Sequence, residues 1–114
     1  MIERQKGSTE SVVMVITTMS EAEKARQFGT RLVEMQLVAC VNLLPGVESI
    51  YQWKGDLEVE GECLVLMKTT RERLGKLEAW VQKNHPYEEP EFLVLPVEAG
   101  SAGYFDWVRR QTGS

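Results

Sequence analysis

The sequence contains few of the residues that usually build a catalytic site. There is one histidine in 114 residues, and the two cysteines, Cys40 and Cys63, stand far apart within apolar runs. Because a redox pair needs Cys-x-x-Cys spacing, and because free cysteine is commonly buried as a small apolar side chain, two unreactive thiols are expected. Gly-x-Gly-x-x-Gly, Walker-type and Gly-x-Ser-x-Gly motifs are absent as well, which disfavours dinucleotide binding, phosphate-loop chemistry and nucleophilic hydrolysis.

Long apolar runs and clustered positive charge are also missing. No stretch approaches the roughly 18 apolar residues that span a bilayer, and residues 1–10 are polar where a secretory signal would have an apolar core. The formal net charge is −4 and no basic run exceeds Arg109-Arg110, so nucleic-acid binding is disfavoured. We expect a cytoplasmic protein with one domain over residues 11–112, preceded by a flexible arm over residues 1–10.

Apolar, β-branched segments predict five extended segments that form four strands, because the second strand is broken by Pro45-Gly46 and continues beyond it. Pro45-Gly46 and Lys54-Gly55-Asp56 have turn chemistry, so residues 47–67 are expected to form a hairpin. Its strands would be longer than the usual length of about 5 to 6 residues. The predicted extended segments cover residues 11–18, 38–44, 47–53, 57–67 and 91–95.

Three helices are predicted between and after these strands. The two main helices begin at Ser20 and Thr69, each of which stands three residues before a glutamate in a capping box. Apolar residues recur in both at steps of three and four, which gives each helix one buried stripe. The predicted helices cover residues 20–36, 69–85 and, capped by Ser101, 101–108.

The resulting order, β-α-β-β-α-β-α, predicts an α+β fold of the ferredoxin-like, split β-α-β type. It has a four-stranded antiparallel sheet, both main helices on one face, a long hairpin between the second and third strands, and a short C-terminal helix. The predicted strands are apolar on both alternating faces, although a solvated face should be polar. Because the last helix is too short to cover four strands, we expect a homo-oligomer.

The only histidine lies in a stiffened segment, His85-Pro86-Tyr87-Glu88-Glu89-Pro90-Glu91. Imidazole suits copper, zinc or nickel, and carboxylates can supply further ligands. The first candidate is therefore a weak, exchangeable metal site made of His85, Glu88, Glu89 and Glu91. The alternative is that His85 ends the second helix and bonds a carbonyl group or stabilises the last helical turn.

A second candidate is a ligand pocket at a subunit boundary, which would suit a small anion. Glu62 and Lys68 are six residues apart on one strand, or roughly 20 Å, so they cannot pair with each other. The alternative is that these residues are structural, with aromatic side chains buried at the boundary and interface ion pairs. The residues of this set are Tyr51, Trp53, Glu62, Lys68 and Tyr87.

Several short blocks occur in a characteristic order: Ala39-Cys40-Val41-Asn42, Pro45-Gly46, Ser49-Ile50-Tyr51-Gln52-Trp53-Lys54-Gly55, Glu62, Lys68-Thr69-Thr70, His85-Pro86-Tyr87 and Pro90-Glu91. Together they resemble the CutA proteins, also called divalent-cation tolerance proteins, over about residues 11–112. The resemblance implies a ferredoxin-like fold in a tight trimer. It also implies tolerance of copper and other divalent metals, through metal binding without an established enzymatic activity.

The resemblance is incomplete at the metal ligands. In the best-known bacterial form, copper is assigned to a first-strand cysteine and two adjacent histidines, and the matching positions here are Ile16, Asn84 and His85. Only His85 carries over, so a soft-metal site of that type is not expected. The leading hypothesis is a homotrimer that is not an enzyme and binds Cu²⁺ or another divalent cation weakly. The alternative, suggested by the likeness to PII signalling proteins, is a signalling or scaffold trimer that binds a small anion or a protein partner.

Overall fold

The computed structural model describes residues 1–113. Within them the chain forms six strands and three α-helices, with a 3₁₀ turn at Arg71–Arg73 directly before the second helix. The elements are β1 (Ile2–Arg4), β2 (Val12–Met19), α1 (Ala22–Glu34), β3 (Cys40–Trp53), β4 (Asp56–Thr70), α2 (Leu74–Asn84), β5 (Leu93–Pro96), β6 (Ala99–Ser101) and α3 (Ala102–Gln111).

The main sheet has four strands in the order β3-β4-β2-β5, and all neighbours are antiparallel. Strands β4 and β2 are therefore central, and strands β3 and β5 form the edges of the sheet. Helices α1 and α2 pack on one face, where their apolar stripes and alternate strand residues enclose the core. The predicted ferredoxin-like α+β fold is confirmed.

Strands β3 and β4 form a hairpin of 14 and 15 residues, which makes the molecule 46 Å long and only 25 Å wide. Lys54 and Gly55 have φ angles of 53° and 88°, the left-handed conformation of a two-residue hairpin turn. The sequence predicted that Pro45-Gly46 would break the strand. Strand β3 instead continues through this pair, and its register with β4 shifts between Leu44 and Val47. Because β3 is an edge strand, a residue without an N–H group is tolerated there.

The helix starts differ from the predicted capping boxes. Helix α1 begins after Glu21, and no side chain caps it. The Thr69 hydroxyl donates instead to the carbonyl oxygen of Leu37, at 2.7 Å, and α2 begins five residues later. Ser101 precedes α3 without a side-chain cap. Thr69 is fully buried in a central strand, so its hydroxyl bonds where the tertiary structure provides an acceptor.

The N-terminal residues do not form the expected flexible arm. Strand β1 pairs antiparallel with β6 in a separate two-stranded sheet. The Gln5 amide bonds the backbone of Val12 and Val97, and the Arg109 guanidinium bonds the Glu3 carboxylate at 2.8 Å. Polar side chains therefore fix this segment to the domain, which a search for apolar patterns does not reveal.

The face of the sheet opposite α1 and α2 is only partly covered. Helix α3 packs against one end of it, where Phe105 and Val108 contact Val12 and Ala39. Beyond α3, cross-strand pairs place further apolar side chains on the same face, and they remain half-buried or exposed. These residues, which we call the open face, are Met14, Ile16, Leu44, Leu64, Leu66, Leu93 and Leu95.

Both cysteines are free, as predicted, although only Cys63 is buried and Cys40 is half-exposed. Burial raises the pKa of the Cys63 thiol above its ordinary value, which keeps it protonated and unreactive. None of the helices in residues 1–113 has the length and apolar character needed to cross a membrane.

Candidate functional site

His85 ends helix α2, and its ring is almost completely buried, with 7% of its surface exposed. The Nε2 atom lies 2.8 Å from the carbonyl oxygen of Thr18 and 3.2 Å from the Thr17 hydroxyl. The Nδ1 atom accepts a hydrogen bond of 3.1 Å from the backbone N–H of Tyr87. Phe28 packs edge-on against the ring at a centroid distance of 5.9 Å. Both ring nitrogens are therefore already engaged within the protein.

These contacts define the protonation state of His85. Because Nδ1 accepts a hydrogen bond and the carbonyl group at Nε2 requires a donor, the ring is neutral with its proton on Nε2. Burial lowers the pKa of His85 below its ordinary value, against the opposite effects of the Thr18 carbonyl and the Glu62 carboxylate. In this arrangement no lone pair is free for a metal. The geometry matches the alternative of a helix-ending histidine that bonds a carbonyl group.

Tyr87 connects the His85 turn to strand β4. Its ring packs against the His85 ring at 4.8 Å, and its hydroxyl donates to Glu62 Oε2 at 2.5 Å. Glu62 is 7% exposed, and burial alone would raise its pKa. Hydrogen bonds from Ser49, Tyr87 and Thr18 outweigh that effect and hold the pKa of Glu62 below its ordinary value. Glu62 is therefore a buried carboxylate anion.

This network forms the floor of an open cleft of about 690 Å³ between the β3–β4 hairpin and the loop that follows α2. Six of its lining residues are glutamates, and Tyr51, Trp53 and Tyr87 contribute aromatic faces. The Lys54 ammonium approaches the cleft carboxylate of Glu88 at 3.9 Å, through two exposed side chains. We call this feature the acidic cleft. Its glutamates are Glu58, Glu60, Glu62, Glu88, Glu89 and Glu91.

The predicted metal set is divided by the structure. Glu88, Glu89 and Glu91 line the acidic cleft, whereas the nitrogens of His85 face away into hydrogen bonds with β2 and its own turn. Burial, and next the charge of Glu62, raise the pKa of Glu91, so these two carboxylates share one electrostatic environment. In the part of the chain that the structure describes, no three His, Cys, Asp or Glu side chains are close enough to hold a metal.

The second predicted set is also separated. Tyr51, Trp53, Glu62 and Tyr87 lie together in the acidic cleft. Lys68 is nearer the other end of β4, where its ammonium group lies 5.7 Å from the centre of the Tyr104 ring. The cleft thus has carboxylates where a small anion would need positive charge.

Sequence reasoning missed Glu58 and Glu60. The signal is present in Glu58-Val59-Glu60-Gly61-Glu62, because alternate residues of a strand point to the same face. In the hairpin these three glutamates pair with Tyr51, Ser49 and Val47, which places them beside the predicted aromatic residues. What the sequence did not show is that the loop carrying Glu88, Glu89 and Glu91 lies opposite.

The fold and the cleft define the class of protein: a ferredoxin-like α+β domain with a long hairpin and an aromatic, acidic cleft suited to cations. The family model described as "CutA1 divalent ion tolerance protein" matches residues 13–111. The chain belongs to this family, whose function is divalent-cation tolerance. The predicted family is thereby confirmed.

Individual relatives agree with this assignment. The divalent-cation tolerance protein CutA of Thermus thermophilus is 46% identical over 101 residues, which cover 89% of this chain and 97% of that protein. Human protein CutA is 40% identical over 104 residues, or 91% of this chain, which spans 58% of the human protein. The structure of CutA from Synechococcus elongatus superposes with a TM-score of 0.92 at 35% identity, covering 99% of this chain and 96% of the other.

Proposed function

We propose that the protein is a homotrimeric binding protein, and not an enzyme, that takes up divalent cations weakly at the acidic cleft. The observation that carries this proposal is that six glutamates line one cleft, which Lys54 reaches only at its rim. Carboxylate oxygens attract divalent cations, and walls of one charge sign concentrate counter-ions. The family assignment supplies the biological setting, which is tolerance of such ions.

The proposed binding is weak and exchangeable. The cleft is open, and its carboxylates do not converge into a ligand cage within residues 1–113. A cation there would keep much of its water shell and interact through several carboxylates at longer range. Among divalent first-row ions, Cu²⁺ is bound most strongly by nitrogen and oxygen ligands, so we propose it as the ion with the highest affinity.

The first prediction concerns the hairpin carboxylates. Replacing Glu58 and Glu60 by glutamine removes two negative charges but keeps the side-chain size. Cu²⁺ and Zn²⁺ affinities should each fall by roughly threefold to tenfold per charge removed, as expected for Coulomb attraction across a few ångströms of water-rich space. Isothermal titration calorimetry of the purified protein measures the change.

The matched control replaces Glu21 and Glu23 by glutamine. These two exposed residues lie at the start of α1 and outside the cleft, so the net charge changes equally. The control should bind both metals like the wild type. Equal losses in the two double variants would mean that only total charge matters, and no loss in either would reject the cleft as the cation site.

The proposed trimer rests on the open face and on the hairpin. Leu93 is 55% exposed and Leu44 is 43% exposed, although both lie on the apolar face of the central sheet. In the outer hairpin, Ile50 and Val59 are a cross-strand pair with 67% and 55% of their surfaces exposed. Contiguous exposed apolar surface of this kind marks a protein interface, and a projecting two-stranded ribbon is marginally stable alone.

The second prediction is the assembly state. Light scattering should give three times the 13.0 kDa mass of one chain. Leu93→Lys places a charge on the open face, where burying an unpaired ammonium group in an interface is unfavourable, and it should shift the mass toward the monomer. Val33→Lys, at a residue of α1 that is 43% exposed, is the control and should remain trimeric. A monomeric wild type would refute the proposed assembly.

A further inference from the structure

Arg71 is an arginine without a partner beside a cavity. Its Nε atom is buried and has no hydrogen-bond partner in residues 1–113. None of the ion pairs formed in this described part of the chain includes Arg71. Arg73 and Arg109, in contrast, are paired, since Arg73 Nε donates to the Thr112 carbonyl group at 2.7 Å and Arg109 bonds Glu3.

The lack of a partner is energetically significant. A guanidinium group has five N–H donors, accepts no hydrogen bond and does not lose its charge in proteins. A buried donor that is left unpaired is destabilising, and more so when the group is charged. Thr70 Oγ1 is the other buried side-chain atom without a partner in residues 1–113, and of the two residues Arg71 lines the cavity described next.

The cavity has a volume of about 280 Å³ and lies where the N-terminal segment crosses the end of the sheet. One wall is built rigidly, because the Gln5 amide makes three hydrogen bonds of 2.6 to 2.9 Å to the backbone of Val12 and Val97. The backbone N–H of Arg71 is held by the Ser11 carbonyl oxygen at 3.0 Å. A volume of about 280 Å³ equals roughly nine water molecules at about 30 Å³ each, enough for a small ion with part of its hydration shell.

We propose that this cavity is a binding site for a small oxyanion, which accepts hydrogen bonds from the Arg71 guanidinium group. Planar guanidinium matches the paired oxygens of phosphate and carboxylate groups. Glu98 also lines the cavity, and its carboxylate weakens the attraction for an anion. That side chain is 89% exposed and lies 4.0 Å from Arg4 Nη1, so it is at the rim and faces solvent.

The site is distinct from the acidic cleft. Val12 lines this cavity and Thr18 lines the cleft, at opposite ends of β2. Six residues of extended strand separate these positions by roughly 20 Å. The two sites share no lining residue, and the proposed anion site does not depend on the proposed cation function.

Calorimetric titration of the whole protein with inorganic phosphate, in an oxyanion-free buffer at fixed ionic strength, tests the proposal. The wild type should bind about one phosphate per chain, and Arg71→Ala should weaken binding by about tenfold to a hundredfold, as for one charged hydrogen-bonded contact. Glu98→Gln should tighten binding several-fold by removing the rim charge. Arg26→Ala, an exposed arginine of α1, controls for net charge and should leave the affinity unchanged.

Two further measurements keep the test independent of how Arg71→Ala folds. Arg71→Lys retains the charge and the apolar stem but lacks the paired donors, and it should bind phosphate less tightly than the wild type. In the wild type, phosphate should shift the amide NMR signals of Gly7 and Ser11. Absence of saturable phosphate binding, wild-type affinity in Arg71→Ala, or signal shifts confined to the acidic cleft would each overturn the proposal.

Discussion

His85→Ala should lower the free energy of unfolding by about 3 kcal/mol, without changing the affinity for Cu²⁺. The substitution removes a buried ring, and it leaves the Thr18 carbonyl group and the Tyr87 N–H without their partners. Each buried polar group without a partner costs about 1–3 kcal/mol, and the cavity left by the ring adds to this. Urea unfolding at a fixed protein concentration measures the change, because subunit association makes stability concentration-dependent.

Asn84→Ala is the matched control for this substitution. Asn84 precedes His85 but is exposed, and its amide donates to the Trp80 carbonyl oxygen at 2.9 Å. Its replacement should cost less than about 1 kcal/mol, since surface hydrogen bonds contribute little. Equal losses in the two variants would contradict the structural role of His85, and loss of Cu²⁺ binding in His85→Ala alone would restore it as a metal ligand.

The same prediction has a pH signature. The pKa of His85 is lowered by burial below the ordinary value of 6.5, so the folded protein keeps the ring neutral where the unfolded chain already binds a proton. The unfolded state then binds more protons, and stability falls as the pH drops from about 6.5 toward the lower folded pKa. Above pH 6.5 both states are neutral and this contribution is complete. In His85→Ala this part of the acid sensitivity should disappear.

Tyr87→Phe should lower the free energy of unfolding by about 1–2 kcal/mol. The phenol donates to the buried Glu62 carboxylate at 2.5 Å, while Phe keeps the ring that packs against His85. The loss is moderate because Ser49 and Thr18, which also lower the pKa of Glu62, remain beside it. Urea unfolding of the wild type and the variant, under the conditions used for His85→Ala, gives the value.

A double-mutant cycle with Glu62→Gln isolates this hydrogen bond. The two substitutions should couple by about 1 kcal/mol, because residues in one hydrogen-bond network are not additive. The pKa of Glu62 is held below its ordinary 4.5, so its stabilisation is complete above pH 4.5 and is lost as the pH falls toward the folded pKa. Tyr87→Phe should weaken this acid dependence. Additive effects would show that the bond contributes nothing to stability.

The parts of the fold that were predicted correctly are those in which neighbouring residues agree. The apolar run at β2 and the helical stripe of Ala25, Phe28 and Leu32 are local patterns, and the structure forms the predicted strand and helix and buries the stripe against Val15 of β2. The predictions failed where a polar residue had two possible partners. Thr69 has the spacing of a helix cap, but its hydroxyl bonds Leu37, which is 32 residues away. The N-terminal segment was predicted to be flexible because it lacks an apolar pattern. Polar contacts of Gln5 and Glu3 hold it against the domain instead.

The candidate site was predictable only in parts. The sequence identified His85, Tyr87 and the glutamates of the loop, because a lone histidine and two prolines are conspicuous. Strand alternation could have identified Glu58 and Glu60, but no pattern in the neighbouring sequence indicates that their strand faces that loop. Arg71 gave no signal, since whether an arginine lacks a partner depends on every residue around it.

The sequence by itself determined the order of elements, the ferredoxin-like class and the family, because hydrophobic periodicity, turn residues and ordered blocks are properties of the chain alone. The tertiary structure decided what the polar residues do. The ring of His85 reaches the carbonyl group of Thr18 across 67 residues, and Tyr87 reaches Glu62 across 25. Burial fixes the cost of leaving such a group unpaired, and only folding establishes which groups are buried and what lies within hydrogen-bond distance.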